Sequence, residues 1–233
     1  VGVRVRWPGC HPGAVRYLVT GATRGIGRAL VELLAPAHEV IALGRSASAL
    51  ASLPVAERVV ADLADPSSLA PALPPVDRLD GVVHCAGIAV LGAASTVDSA
   101  EWARQFTVNV IAPAELTRLL LPALRSAGGA VVFVNSGQGQ RVAAGWTAYA
   151  ASKFALRALA DGLRQEEPSL RVTTVYPGRT ATDMQRATRA FEGLPYVADD
   201  YLRPSTVAGV IAQVLATPPD GVVPEVTVRP RPG

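Results

Sequence analysis

Residues Tyr17–Gly27 of the chain read Tyr-Leu-Val-Thr-Gly-Ala-Thr-Arg-Gly-Ile-Gly. A short apolar strand here runs into a turn with glycines at positions 21, 25 and 27, and an amphipathic helical pattern follows. Glycines let the backbone turn tightly and approach a pyrophosphate, which the N–H groups and dipole of the next helix stabilise. A plain turn is the alternative, but the strand–turn–helix context favours a dinucleotide-binding turn with the spacing T-G-x-x-x-G-x-G.

Short apolar runs alternate with longer helical patterns along the rest of the chain. Strands are predicted near residues 16–20, 39–43, 57–61, 80–85, 130–135, 171–176 and 224–228. Helices are predicted near residues 25–35, 47–53, 66–72, 99–126, 149–166 and 204–216. This alternation is typical of an α/β fold, here a Rossmann-type doubly wound parallel sheet of about seven strands with helices on both faces. Ligands of such sheets bind beyond the carboxyl ends of the strands.

The length of 233 residues suits one compact domain. Residues 1–14 have neither clean periodicity nor the apolar segment of a secretory signal, so we expect an irregular N-terminal extension there. Residues 15–233 are predicted to form a single NAD(P)-binding Rossmann-fold domain. Within it, a stretch at about 179–202 mixes apolar and charged positions as expected for an amphipathic lid that closes over a substrate.

The composition disfavours several classes of protein. Apolar residues make up 49% of the chain, and no apolar run approaches the ~18 residues that cross a bilayer. We therefore expect a soluble protein with no membrane partner. The net charge of +3 is modest and the arginines are scattered, so we expect no nucleic-acid partner.

The cysteines and histidines do not form a recognisable framework. Cys10 and Cys85 lie in an irregular stretch and at the end of an apolar strand, a poor setting for a disulfide framework, so we expect a cytoplasmic protein in a reducing environment. The three histidines, His11, His38 and His84, show no metal-ligand spacing with them. We predict no metal.

The second predicted strand ends in Gly44-Arg45. NAD-specific folds usually place a carboxylate there to bind the ribose 2′-hydroxyl, and none is present. Arg24 in the glycine turn and Arg45 would instead bind a 2′-phosphate with charge-assisted hydrogen bonds. Surface arginines are usually only solvated, but two of them at a position without an acid favour NADPH/NADP+ over NAD as the cofactor.

Lys153 is the only lysine among the 22 lysine and arginine residues, and it follows Tyr149 by four positions. Residues four apart share one face of a helix, so the phenol and the ammonium would point into the same space. Lysine carries a compact ammonium on a flexible side chain, and the rigid, planar guanidinium of arginine could not take its place. The cation would lower the pKa of the phenol and make it a usable acid or base, although such pairs also occur on solvated helix faces.

These motifs together resemble the short-chain dehydrogenase/reductase (SDR) family over residues 15–229. Ser136 stands thirteen residues before the tyrosine, which is the family's spacing. The segment Pro177–Met184 is similar to the family's P-G-x-x-x-T-x-M sequence. Residues 84–87 read His-Cys-Ala-Gly where the family usually has Asn-Asn-Ala-Gly, so the role of His84 stays open, with a structural role favoured.

The resemblance implies a catalytic set, a cofactor site and a substrate site. The catalytic residues would be Asn109, Ser136, Tyr149 and Lys153. The cofactor would contact Gly21, Thr23, Arg24, Gly25, Ile26, Gly27, Arg45, Asp62, Leu63, Ala86, Gly87, Asn109, Tyr149, Lys153, Pro177, Gly178, Thr180 and Thr182. Substrate contacts are expected from Gln138, Trp146 and Met184.

Asn109 lies inside the helical pattern at 99–126, four residues before Pro113. Proline has no N–H to donate to the Asn109 carbonyl, so we expect a kink and a carbonyl that needs another partner. In the SDR family the equivalent asparagine is associated with a water that relays protons between the lysine and solvent. A proline that is merely tolerated near a kink is the alternative.

The activity implied by the resemblance is an NADPH-dependent, reversible reduction of a carbonyl to an alcohol by hydride transfer, with Tyr149 as proton donor. Ser136 would donate a second hydrogen bond to the same oxygen, and Lys153 would hold the nicotinamide ribose. A non-catalytic nucleotide-sensing protein is the alternative from another class. Epimerase or nucleotide-sugar chemistry on the same fold is disfavoured, because it generally needs a longer C-terminal region. The expected partners are a small-molecule carbonyl or alcohol and further copies of the chain, as a homodimer or homotetramer.

Overall fold

The computed structural model describes residues 15–55 and 57–231, so the extension expected at residues 1–14 lies outside the described residues. The strands are β1 (Arg16–Thr20), β2 (Glu39–Gly44), β3 (Glu57–Val60), β4 (Gly81–His84), β5 (Ala130–Val134), β6 (Arg171–Pro177) and β7 (Glu225–Val228). The helices are α1 (Gly25–Leu34), α2 (Ala47–Ala51), α3 (Leu69–Ala72), α4 (Ser99–Phe106), α5 (Ala112–Ala127), α6 (Thr147–Glu166), α7 (Asp183–Phe191) and α8 (Pro204–Leu215).

The strands form one parallel sheet in the order β3-β2-β1-β4-β5-β6-β7. From β1 the chain continues outward to β2 and β3, whereas β4 starts the other half of the sheet on the opposite side of β1. A crevice opens beyond the carboxyl ends of β1 and β4, where ligands of such sheets bind. The predicted doubly wound α/β fold is confirmed.

Both faces of the sheet are covered, because side chains alternate along each strand. In β1, Tyr17 and Val19 belong to a core cluster with residues of α1 and α8, while Leu18 packs in a second cluster with residues of α5 and α6. In β5, Val132 lies in the first cluster and Phe133 in the second. Burial on both faces explains why these strands are continuous apolar runs in the sequence.

Two segments differ from the predicted pattern. The stretch at 99–126, predicted as one kinked helix, is divided into α4 and α5 by a π-helical turn at Thr107–Ile111. The break lies just before Pro113, which removes an N–H, and Asn109 is at its centre. The expected lid contains a helix, α7, that the sequence pattern did not predict. Its N-terminus is capped by Thr182, whose Oγ1 accepts a hydrogen bond from Gln185 N at 3.3 Å.

Candidate active site

The glycine turn after β1 allows a close approach of backbone to backbone and to a ligand. Gly21 has a φ of 63°, and a Cβ there would lie 2.9 Å from Ala86 Cα. A Cβ on Gly27 would lie 2.4 Å from the Gly21 carbonyl oxygen, so only glycine fits. Arg24 at the N-cap of α1 makes no side-chain capping bond, which leaves the first N–H groups of the helix for an anion. The turn fits the pyrophosphate of a dinucleotide.

The start of α7 lies against the same turn. A Cβ on Gly25 would lie 3.2 Å from Thr182 Cγ2. Beside this contact, Arg24 Nη1 is 3.5 Å from Asp183 Oδ2. The glycine turn and the P-G-x-x-x-T-x-M segment, far apart in sequence, thus form two sides of one cleft.

Arg24 belongs to the glycine turn, and Arg45 directly follows β2. Their neighbours in the chain are in contact, since a Cβ on Gly44 would lie 3.1 Å from Thr23 Cγ2. Both side chains are exposed, and Arg45 Nη1 lies 4.0 Å from Asp62 Oδ2. Exposed ion pairs contribute little stability, so both guanidinium groups are free to turn toward a phosphate.

The other predicted cofactor residues lie at the carboxyl ends of neighbouring strands. Ala86 N donates to Thr20 Oγ1 at 3.1 Å, beside the glycine turn. Asp62 and Leu63 follow β3, with the leucine buried and the aspartate exposed. Like the glycine turn, these positions follow the carboxyl ends of strands.

Asn135, which is missing from the predicted site, connects the end of β5 to α6. Its Nδ2 donates to the Lys153 carbonyl at 3.0 Å, and its Oδ1 accepts from Ser136 N at 2.8 Å. Ser136 Oγ accepts from Gln138 N at 3.2 Å, which leaves the serine proton free for donation. The buried Asn135 amide therefore fixes the serine and the lysine relative to each other. The sequence contained one indication of this role, because Asn135 is a polar residue between a buried strand and Ser136.

Asn109 is buried in the π turn and holds the segment after β4. Its Oδ1 accepts from Ile88 N at 2.9 Å, and its Nδ2 donates to the Ile88 carbonyl at 2.9 Å and to Ser152 Oγ at 3.0 Å. A Cβ on Gly87 would lie 3.2 Å from Asn109 Oδ1 and 3.5 Å from Lys153 Nζ. The Asn109 side chain thus has a positioning role, and the water relay through its carbonyl stays a prediction.

Tyr149 and Lys153 are both buried on one side of α6. Lys153 Nζ is 5.9 Å from the centre of the Tyr149 ring and donates to the Val134 carbonyl at 3.1 Å. Burial lowers the pKa of Lys153 to about 8, although the nearby Cys85 opposes this shift. The lysine is therefore charged at neutral pH and begins to lose its proton in mildly alkaline solution.

The expected lowering of the Tyr149 pKa by Lys153 is not found. Burial raises the pKa of Tyr149 to about 12, and hydrogen bonding to Ser136 opposes this shift only in part. The loss of hydration on burial destabilises the ionised phenol more than the hydrogen bond with Ser136 stabilises it. The Lys153 ammonium donates to the Val134 carbonyl instead of to the phenol. Tyr149 is a protonated phenol at neutral pH, which is the form that donates a proton.

His84 lies behind the site. Its ring stacks on Phe133 with centroids 4.9 Å apart, and its Nε2 is 2.9 Å from Thr117 Oγ1. Thr117 donates its single hydroxyl proton to the Pro113 carbonyl at 2.7 Å, so His84 Nε2 is the donor of the other bond. Burial lowers the pKa of His84 to about 3, which keeps the ring neutral. This setting agrees with the structural role favoured for His84.

A cavity of about 530 Å³ lies beyond the carboxyl ends of the central strands. We call one group of its lining residues, all beside the ends of the central strands or on α6, the inner wall: Cys85, Gly87, Asn135, Ser136, Tyr149 and Lys153. We call a second group, from α7 and the segments around it, the outer rim: Arg141, Arg179, Met184, Gln185, Phe191, Glu192 and Arg229. The expected substrate residues Gln138, Trp146 and Met184 all line the cavity, as do Ile26, Pro177, Gly178, Thr180 and Thr182 of the expected cofactor site.

Two contacts of the outer rim join segments that are distant in sequence. A Cβ on Gly137 would lie 2.9 Å from Nη1 of Arg229, which follows the last strand. A Cβ on Gly145 would lie 3.3 Å from the ring of Phe191, so α7 is packed against the loop before α6. Sequence spacing carries no signal for such contacts, and Arg229 is accordingly missing from the predicted site.

The chemistry of the described part of the chain, residues 15–55 and 57–231, is limited in two further respects. Burial raises the pKa of the free Cys85 thiol to about 12 despite the nearby Lys153, so the thiol is unreactive at neutral pH. No three histidine, cysteine or acidic side chains of these residues are grouped closely enough to hold a metal ion. Among the same residues, no helix has the length and apolar character to cross a membrane.

Known proteins share both this sequence pattern and this architecture. The family model described as short chain dehydrogenase matches residues 16–193. The benzil reductase ((S)-benzoin forming) of Saccharomyces cerevisiae is 32% identical over 233 residues, covering 85% of this chain and 89% of the relative. The 2,3-dihydro-2,3-dihydroxybenzoate dehydrogenase of Escherichia coli is 35% identical over 175 residues, covering 72% of this chain and 73% of the relative.

The solved structures include a close match to the fold. A protein of Escherichia coli CFT073, described as a short chain dehydrogenase complexed with NADPH, superposes with a TM-score of 0.79. It is 29% identical, and the match covers 91% of this chain and 95% of that protein. The family model, the relatives and the sheet order agree, and the chain belongs to the short-chain dehydrogenase/reductase family, as an oxidoreductase.

Proposed function

We propose that this protein is an NADPH-dependent carbonyl reductase whose reaction is reversible. The observation that carries the proposal is the proximity of Ser136, Tyr149 and Lys153 in a cavity that also contains Ile26 of the glycine turn. NADPH, when bound in this cleft, would supply the hydride that reaches the carbonyl carbon. The residues of the chain supply the proton, the charge and the orientation.

Tyr149 holds the proton that the developing alkoxide receives. Its raised pKa keeps the phenol protonated until the alkoxide forms. Ser136 donates a second hydrogen bond to the same oxygen, an interaction worth about 3 kcal/mol in comparable oxyanion sites. Lys153 contributes positive charge beside the tyrosine and binds the ribose of the nicotinamide.

The preference for NADPH rests on Arg24 and Arg45. Their exposed guanidinium groups are paired only with surface carboxylates, at 3.5 Å and 4.0 Å, and no acid follows β2. A 2′-phosphate carries more charge than either carboxylate and would attract both groups. The NADPH complex of the related Escherichia coli protein supports the same choice.

The substrate differs among the relatives. The name of one contains benzil and that of another contains dihydroxybenzoate, so the family alone does not identify the substrate of this chain. Both names describe oxidoreductases, which supports a catalytic role. The nucleotide-sensing alternative is not favoured, because a binding protein does not need Ser136, Tyr149 and Lys153 together at one cavity.

Titration with NADPH and with NADH, followed by nucleotide fluorescence, tests the cofactor. We expect the protein to bind NADPH at least tenfold more tightly and Arg45→Ala to lose most of this preference, because hydrogen bonds between charged groups are worth about 1.5–3 kcal/mol. Arg28→Ala is the matched control, since Arg28 is an exposed arginine of α1 that pairs with Glu32 at 2.8 Å. It should bind both nucleotides as the unchanged protein does.

Equal affinity for the two nucleotides would contradict the site formed by the two arginines. Binding of neither would contradict both the reductase and the nucleotide-sensing alternative, whereas binding without turnover would favour the latter. With NADPH bound, a panel of aldehydes and ketones should be reduced, and absorbance of NADPH measures the rate. No turnover of any carbonyl would argue against the reductase.

Three other expectations stay predictions: a small-molecule partner, a cytoplasmic location, and a homodimer or homotetramer formed through the helices near 99–126 and 149–166. Phe154 of α6 is 39% exposed and Ile111 of the π turn is 51% exposed. Apolar side chains are therefore available on the helices expected at the interface.

A further inference from the structure

Four arginine side chains among the described residues have no ion pair, hydrogen bond or aromatic contact: Arg141, Arg203, Arg229 and Arg231. Arg203 and Arg231 line a separate surface cavity, together with Asp199 and Asp200. Arg141 and Arg229 instead belong to the outer rim of the active-site cavity. Two arginines without a carboxylate partner therefore face the space where a substrate would bind.

The charge of the outer rim is not balanced. Arg141, Arg179 and Arg229 are opposed there by one carboxylate, that of Glu192. Glu192 already accepts from Arg179 Nη1 at 2.8 Å and from Arg189 Nη1 at 3.0 Å, and these bonds hold its pKa below the ordinary value. No other described carboxylate of the rim offsets the remaining cations, so the cavity has a positive potential that attracts anions.

Arg229 lies close to the reacting groups. A Cβ on Gly137 would be 2.9 Å from Arg229 Nη1, so the guanidinium lies over the backbone of the residue that follows Ser136, about 3.8 Å along the chain. Its position is set by the sheet, because Gly178 N at the end of β6 donates to the Val228 carbonyl at 2.7 Å. The end of β7 thus carries a cation to the side of the catalytic serine.

Gln185 adds an unpaired hydrogen-bond donor to the residues that line this cavity. The residue is only 7% exposed and lies on the outer rim. Its Nε2 has no hydrogen-bond partner among the described residues. Buried donors are nearly always paired, and a rotation of the Gln185 side chain would bring this amide to an acceptor oxygen of a molecule in the cavity.

We propose that the substrate is an oxo acid whose carboxylate binds Arg229, with Arg141 and Gln185 as further donors. This inference rests on the proposed reductase function. The carbonyl carbon accepts a hydride as NADPH becomes NADP+, and the carbonyl oxygen accepts the proton of Tyr149, which solvent later replaces. The product is a hydroxy acid with its carboxylate unchanged. Trp146 and Phe191 line the same cavity and provide contacts for an apolar body.

Two compounds with the same ketone and different charge test the proposal: 2-oxo-2-phenylacetate and its methyl ester. Their kcat/KM values with NADPH are compared for the unchanged protein, Arg229→Gln and Arg231→Gln. We expect Arg229→Gln to lower the acid-to-ester ratio of kcat/KM by about 10- to 100-fold, mainly through KM for the acid, because a charged hydrogen bond is lost. Arg231→Gln, which changes an arginine of the separate surface cavity, should leave the ratio unchanged.

If Arg229→Gln left the acid-to-ester ratio of kcat/KM unchanged, the carboxylate would not bind this arginine and the proposal would be overturned. Turnover of either compound would still support the reductase function. If neither compound consumes NADPH, calorimetry of 2-oxo-2-phenylacetate with the NADP+ complex decides between the outcomes. Binding that weakens at least tenfold in Arg229→Gln supports the carboxylate site. Absent or unchanged binding overturns it. The proposed function itself fails only when no carbonyl of the wider panel is reduced.

Discussion

The inner wall and the outer rim of the cavity are held in different ways. On the inner wall, Tyr149 and Lys153 are buried on a helix of 20 residues, and Asn135 joins that helix to β5 by hydrogen bonds. On the outer rim, Met184 and Phe191 are 38% and 51% exposed on a helix of 9 residues. The wall is interlocked by buried hydrogen bonds, whereas the rim rests on partly exposed ion pairs and a few ring contacts.

This difference separates the reaction from the choice of substrate. Proton donation needs a pKa and a geometry that do not fluctuate, and buried groups on long elements provide both. Specificity is carried by side chains that change without disturbing the sheet, and exposed segments beyond the strand ends meet this condition. The inner wall should therefore respond strongly to substitutions that the outer rim tolerates.

The largest expected effect separates a tyrosine of the wall from one beyond the rim. Tyr149→Phe keeps the ring and removes the proton donor, so kcat/KM for carbonyl reduction should fall by ~10²- to 10⁴-fold. Tyr196→Phe is the matched control, since Tyr196 lies after α7 and packs against Tyr201 with ring centroids 5.5 Å apart. Steady-state oxidation of NADPH measures both variants. Similar losses in the two would remove the distinction between wall and rim.

The second effect concerns stability. Asn135→Ala leaves Ser136 N–H without its partner and removes a second bond from the Lys153 carbonyl, which helix α6 still holds, so the free energy of unfolding should fall by about 1–3 kcal/mol. Gln138→Ala removes only an exposed bond from Ala143 N at 3.2 Å and should cost less than about 1 kcal/mol. Urea unfolding measures both values. If the two variants were equally stable, the wall would not be interlocked through Asn135.

A smaller, pH-dependent effect comes from His84 behind the wall. Its pKa is about 3 in the folded protein against an ordinary 6.5, so below pH 6.5 the unfolded chain binds a proton that the folded chain does not. Stability should therefore fall as the pH falls from 6.5 toward 3, and at pH 5 the loss amounts to about 2 kcal/mol. His84→Gln should remove this part of the pH dependence, which unfolding curves at pH 7 and pH 5 measure.

His38 offers a comparison for that experiment. Its pKa is also lowered by burial, but Asp80 opposes the shift, and the side chain is partly exposed. His38→Gln should therefore change the pH dependence less than His84→Gln does. An unchanged slope in His84→Gln would mean that its ring is protonated or hydrated in the folded chain.

Local spacing predicts much of the fold and of the inner wall. The glycine turn, the apolar runs of the strands and the four-residue interval between Tyr149 and Lys153 are properties of short segments, which obey backbone geometry and periodicity. Even the break before Pro113 follows from one missing N–H. These features were predicted correctly because no distant residue is needed to produce them.

Other features depend on residues that meet only after folding. The bond from Asn135 to the Lys153 carbonyl, Arg229 over Gly137 and the pair of Arg24 with Asp183 all require the strand order, which no interval in the sequence encodes. The pKa of Tyr149 is the clearest case, because the spacing indicates a nearby cation whereas burial decides the direction of the shift. Burial is the sum of contacts from the whole chain, and it outweighs a single neighbour in the low-dielectric interior.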